Sequence, residues 1–125
     1  MKAGKWGESV AARLLRKKGY RIVARRLIIQ RAEIDLIAKR DGTLVFVEVK
    51  TRAEERFGRP ASAVGRLKKR RITRAALEYL RHLRSRPDYV RFDIIEVIGR
   101  PDGGHPVARH VENAFTLSAG ARLPW

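Results

Sequence analysis

From Gly4 to Lys18 the apolar residues Trp6, Val10, Ala11, Leu14 and Leu15 recur at helical spacing, and Gly19 follows where a helix commonly stops. This segment predicts a first helix. Tyr20 to Ile29 turns β-rich, with Ile22, Val23, Leu27, Ile28 and Ile29 broken by basic side chains, and predicts a strand. Two apolar runs come next, Ile34 to Ala38 and Leu44 to Val49, separated by Lys39-Arg40-Asp41-Gly42-Thr43. Asp-Gly suits a type I′ turn, so the pair predicts a β-hairpin. Arg52 to Gly65, with Gly58, Pro60 and several charges, has no sustained period and reads as a surface loop. Loops of that length often carry function.

Arg66 to Leu83 predicts a second helix, with Ile72, Ala76, Tyr79, Leu80 and Leu83 on one face. Beyond Pro87, Tyr89 to Ile98 reads as a strand, Pro101-Asp102-Gly103-Gly104 as a turn, and Pro106 to Val111 as an edge strand. Leu117 to Trp125 reads as an irregular tail, and no internal repeat is found. The order α β β β α β β predicts an α/β fold, a mixed central sheet flanked by helices. No linker divides the 125 residues, so one domain is expected.

The hairpin is apolar except for Glu33, Asp35, Glu48 and Lys50, charges that burial penalises unless they are paired or bind metal. With Asp41 and Gly42 as the turn, Ile37 opposes Phe46, Asp35 opposes Glu48 and Glu33 opposes Lys50, all four charges on one face. Two carboxylates directly opposed repel unless a cation lies between them. One reading of this face is an ordinary cross-strand ion-pair ladder. The other is a site in which Asp35 and Glu48 hold Mg²⁺ or Mn²⁺ and Lys50 reaches a bound water or a phosphate, as phosphodiester hydrolysis requires. Glu33 either assists the metal or pairs with Lys50. Glu8, beside Ala11, Ala12 and Leu15 on helix one, either points at the sheet or is a solvated first-turn acid favoured by the helix dipole.

Charge decides the partner. Lys and Arg number 29 against 13 Asp and Glu, a formal charge of +16, which points to a polyanion. Six cations, Arg66, Lys68, Lys69, Arg70, Arg71 and Arg74, crowd the first half of helix two, too many for the local carboxylates, and phosphate contact is expected there. Anionic membrane is the rival partner, but no apolar run reaches the ~18 to 20 residues of a spanning helix and no signal-peptide core is seen, so a cytoplasmic protein is expected. Without Cys, any metal must bind oxygen or imidazole. His82, His105 and His110 have no zinc-site spacing. Asp93 is expected to pair with a nearby Arg, and Trp6, Tyr79 and Tyr89 to pack in the core.

Asp35, a gap, and then Glu48-Val49-Lys50 resemble the PD-(D/E)xK signature of restriction-endonuclease-like nucleases, which include archaeal Holliday-junction resolvases. Over most of the chain, Gly7-Glu8, Gly19-Tyr20, Glu33 to Ala38, Leu44 to Arg52, Arg91-Phe92-Asp93 and Asn113-Ala114-Phe115 resemble the uncharacterised bacterial YraN-like proteins. Ala32 stands where those proteins usually carry Gly. The resemblance implies a restriction-endonuclease-like core, nucleic-acid binding with DNA favoured over RNA, and a metal-dependent endonuclease site of Asp35, Glu48 and Lys50 with the helical Glu8 near the metal. Branched or structured DNA is the substrate it suggests. A chain of this length and apolar content is expected to fold alone or as a homo-oligomer such as a homodimer. A non-catalytic nucleic-acid-binding module serving a partner enzyme is the alternative. A basic architectural or ribosome-associated protein would leave the acidic hairpin face unexplained.

Overall fold

In the run Leu44 to Val49 every side chain is apolar except one, so a strand made from it must be covered on both faces. The computed structural model, which describes residues 3–53, 65–116 and 123–125, meets that requirement with one helix on each side of a sheet. The elements are α1 (Ala3–Lys17), β1 (Arg21–Ile29), β2 (Ala32–Arg40), β3 (Thr43–Arg52), α2 (Arg66–Arg81), β4 (Tyr89–Ile98) and β5 (Val107–Phe115). The strands lie in the order β1-β2-β3-β4-β5, with β3 and β4 parallel and every other pair antiparallel. This is the mixed α/β sheet flanked by helices that the sequence predicts, consistent with a restriction-endonuclease-like core.

α1 packs Ala11, Ala12 and Leu15 on Val45, Val47, Ile95 and Val97. Its end is a Schellman motif, with the Gly19 N–H donating to Arg16 O at 3.0 Å and the Tyr20 N–H to Leu15 O at 2.9 Å. α2 covers the opposite face through Ile72, Ala75, Ala76 and Leu80. Beneath it Phe46, Phe92 and Phe115 form a stacked row, with centroids 5.5 and 5.1 Å apart, that gives the α2 side a rigid floor. Trp6 and Tyr79 are half-buried against these cores, but Tyr89 is 72% exposed at the start of β4, contrary to the expectation that it packs inside.

The β2–β3 hairpin keeps the expected register, with Arg40 against Thr43, Ile37 against Phe46 and Leu36 against Val47. Its turn is not type I′, which needs positive φ at both central residues, because only Asp41 (φ 53) has it. Gly42 serves close approach instead. The Asp88 carboxylate lies where a Cβ would project, and the Asp88 and Tyr89 N–H groups donate to Gly42 O at 2.8 and 3.1 Å, seating β4 beside β3. The hairpin with two positive-φ residues is β1–β2, whose turn is Gln30 (φ 50) and Arg31 (φ 67).

Strand β5 remains at the sheet edge but runs beyond its expected end at Val111, through a bulge at Asn113 (φ 56). The loop expected at 52–65 and the tail expected at 117–125 lie largely outside the described residues. Among the described residues no helix is long and apolar enough to cross a membrane.

α1 comes close to β3 at Gly7, where an added Cβ would stand 3.2 Å from Thr51 Cβ and against its hydroxyl. Gly7→Ala is expected to push α1 off the sheet and cost about 1–3 kcal/mol, measured by urea denaturation. A loss below a few tenths would show that Thr51 simply yields.

A candidate metal centre with a cationic rim

Strand β2 changes sides at one residue. Ala32 and Ile34 lie in the α2-side core, whereas Leu36 and Ala38 lie in the α1-side core and Ile37 is again under α2. Regular alternation would put Ile34 and Leu36 on the same face, so the strand reverses at Asp35. The ladder to β3 stops there too, its last pair being Leu36 and Val47. The next rung is made by a side chain, because the Val49 N–H donates to Asp35 Oδ2 at 2.8 Å. Asp35 and Glu48 are therefore not a backbone pair, yet they line the same cavity and the charge of Glu48 acts on the Asp35 carboxyl.

This placement is electrostatically costly. Burial, followed by the charge of Glu48, pushes the Asp35 carboxyl up to about 7, and the Val49 N–H only partly opposes them. Glu48 is 6% exposed. From α1 comes Glu8, 7% exposed, with Arg26 Nε 3.1 Å from its Oε1. Burial raises the Glu8 carboxyl above its ordinary value, Arg26 opposes this, and Glu33 adds to it. One oxygen each from Glu8, Glu33 and Asp35 lie within 4.8 Å of one another. Four carboxylates from three elements thus converge, a donor set that suits a hard divalent cation.

Beside them is a cavity of about 400 Å³ lined by Arg31, Glu33, Asp35, Glu48, Lys68 and Arg71. Ala32 also lines it, its methyl buried in the α2-side core. The Lys68 ammonium forms an ion pair with Glu48 Oε1.

The structure brings Asp35, Glu48, Glu8 and Glu33 together, but it does not pair Glu33 with Lys50, because the ladder ends before that rung. Glu33 faces Arg26 instead, at 3.8 Å. Lys50 shares the α2 face of β3 with Glu48 and aligns with Glu96 in the parallel ladder, but it does not line the cavity. Its side chain makes no hydrogen bond or ion pair among the described residues. Of the helical cations, Lys68 and Arg71 reach the cavity, while Arg66, Arg70 and Arg74 are exposed along one line of α2. Lys69 is half-buried, its ammonium 5.8 Å from the Phe115 ring centre.

Arg26 and Arg31 were not legible as site residues from composition. The signal was available in the turn: with Gln30 and Arg31 as a two-residue loop, Arg26 falls opposite Asp35.

Two other buried acids lie apart from this site. Asp93 on β4 is fully buried and bonded by Arg91 Nε at 2.9 Å, His110 Nε2 at 2.6 Å and the Asn113 N–H at 3.0 Å. Burial would raise its pKa, but the hydrogen bonds from His110, Arg91 and Asn113 outweigh it and hold Asp93 below its ordinary value. The pairing with a neighbouring Arg agrees with expectation. Glu96, also fully buried, lies 2.7 Å from Arg52 Nε and 3.2 Å from an Arg109 guanidinium nitrogen.

Comparison with known proteins adds a family without an assigned activity. Residues 7–97 match the model of the uncharacterised protein family UPF0102. A UPF0102 protein of Symbiobacterium thermophilum is 48% identical over 114 residues, covering 91% of this chain and 96% of its own. One from Desulfosudis oleivorans is 42% identical over 118 residues, covering 94% and 93%. One from Trichlorobacter lovleyi is 40% identical over 116 residues, covering 92% and 91%.

Proposed function

The chain belongs to the uncharacterised protein family UPF0102, and from that premise we propose that it is a cytoplasmic nucleic-acid-binding protein with a divalent-metal-dependent endonuclease site. The observation that carries this reading is the half-buried Asp35 beside the buried Glu48 at the end of the β2–β3 ladder, with Glu8 and Glu33 near them and cations around the cavity. Arg26 answers Glu8 and Glu33 and Lys68 answers Glu48, but among the described residues no Lys or Arg forms an ion pair with Asp35, and a metal would supply that charge.

Asp35 and Glu48 would hold Mg²⁺ or Mn²⁺, with Glu8 and Glu33 nearby. The metal, when bound, lowers the pKa of a water and polarises a phosphoryl oxygen. Asp35 is held at the cavity wall by the Val49 N–H, which occupies Oδ2 and leaves Oδ1 available to a metal. Lys50, two residues beyond Glu48 on the same strand face, would orient the attacking water and offset charge on the phosphate. Arg71 and Arg31 flank the acids and would grip phosphate oxygens, and Arg66, Lys69, Arg70 and Arg74 would extend that grip along α2. No carboxylate stands in the first turn of α2, so its basic start opposes the helix dipole, a cost that bound polyanion offsets.

The test is cleavage of duplex, single-stranded and branched DNA and of RNA by purified protein with Mg²⁺ or Mn²⁺. Lys50→Ala is expected to reduce cleavage at least about tenfold while leaving binding intact. If no substrate is cut and calorimetry detects no metal binding, the enzymatic reading is wrong. A second reading has its own support: Lys50 lies outside the cavity, as a non-catalytic binding module would tolerate. That reading expects binding by the parent and the Lys50 variant alike, with no cleavage by either.

A further inference from the structure

Glu48 is 6% exposed, and a carboxylate so buried requires a cation close by. The cation it has is the Lys68 ammonium, supplied from α2 across the cavity and seated on Oε1. The Lys68 side chain is itself 45% exposed, so only its tip is committed and its stem can swing. A metal held by Asp35 and Glu48 would compete for the same carboxylate, and two cations on one carboxylate repel.

We propose that Lys68 is a displaceable internal counter-ion, neutralising Glu48 until a divalent metal takes its place and then passing to a nucleic-acid phosphate in the same cavity. The proposal rests on the metal-site reading above and adds a residue that the signature Glu48-Val49-Lys50 does not contain. Arg71 and Arg31 line the cavity with Lys68, so a phosphate bound between these guanidinium groups would lie within the arc of its side chain. Metal binding would thereby release a phosphate-binding group, and the two ligands would favour each other.

The experiment is Mn²⁺ titration by calorimetry of the full chain and of Lys68→Met, followed by binding of fluorescein-labelled DNA with Ca²⁺ present. Lys68→Met is expected to bind Mn²⁺ at least fivefold more tightly and DNA at least threefold more weakly. Equal or weaker Mn²⁺ binding by the variant overturns the proposal while leaving the metal site standing, whereas a parent that binds no Mn²⁺ removes both. Because Lys68→Met leaves Glu48 without its partner and can lose its fold, a second measurement uses the parent. Lysines are ¹³C-dimethylated, and the Lys68 resonance, assigned by its loss in Lys68→Arg, is followed as Mg²⁺ is added. It is expected to move with the midpoint of metal binding, and a resonance that stays still overturns the proposal.

Discussion

Asp35→Asn is expected to produce a chain that is more stable than the parent at pH 8 and yet binds the proposed divalent metal far more weakly. The Asp35 carboxyl is raised from 3.8 to about 7, first by burial and then by Glu48. Between those values the folded protein holds a proton that the unfolded chain has released, so parental stability falls as pH rises from about 4 to about 7 and then levels. Asn imitates the protonated acid at every pH and can still accept the Val49 N–H through its amide oxygen. The gain at pH 8 should be on the order of 2 kcal/mol, less than the full shift would give because the side chain borders an open cavity. Urea denaturation in EDTA at pH 5 and pH 8 measures it. A parent whose stability rises over that interval relative to the variant would refute the assignment. Metal affinity should fall by at least about 100-fold, since loss of a ligand exceeds the effect of losing a group that merely orients one.

Asp93→Ala should have the larger effect on the fold. The carboxylate satisfies Arg91, His110 and the bulge N–H of Asn113 at once, and its removal strands an arginine whose own pKa that pairing raises. Breaking a buried pair from one side costs about 3–5 kcal/mol. Asp93 is held below its ordinary value, so its contribution is present above about pH 4 and is lost as pH falls through its lower folded value. Guanidinium denaturation at pH 7 reads the loss, and a deficit under 1 kcal/mol would show that the cluster is dispensable. Metal binding at neutral pH should survive in any fraction that folds, which separates this structural acid from Asp35.

The parts of the architecture that were legible in the sequence share one property, which is that a short period and a local stop suffice to define them. The Gly19 stop of α1, the two-residue loop at Asp41-Gly42 and the apolar face of α2 are of this kind. The reversal at Asp35 was not legible, because Ile34, Leu36 and Ile37 are apolar and either face accepts them. That reversal is why Glu33 meets Arg26 and Glu8 rather than Lys50. Nor could sequence rank six adjacent cations. Lys68 reaches Glu48 on β3 from a helix that packs over β1 and β2, a tertiary fact that leaves no trace in composition. The type I′ geometry formed at Gln30-Arg31, where no Asn or Gly announced it, while Gly42 was retained to admit Asp88.

The parallel pairing of β3 with β4 places α2 on the connection between them. All four converging carboxylates come from residues 8 to 48, ahead of that connection, and the helical cations come from residues 66 to 74, within it. The acidic set and the helical cations are therefore consecutive modules of the chain. If the proposed polyanion binding holds, exchanging α2 between relatives is expected to change how tightly, and in what shape, the polyanion is held while leaving the acidic set as it stands.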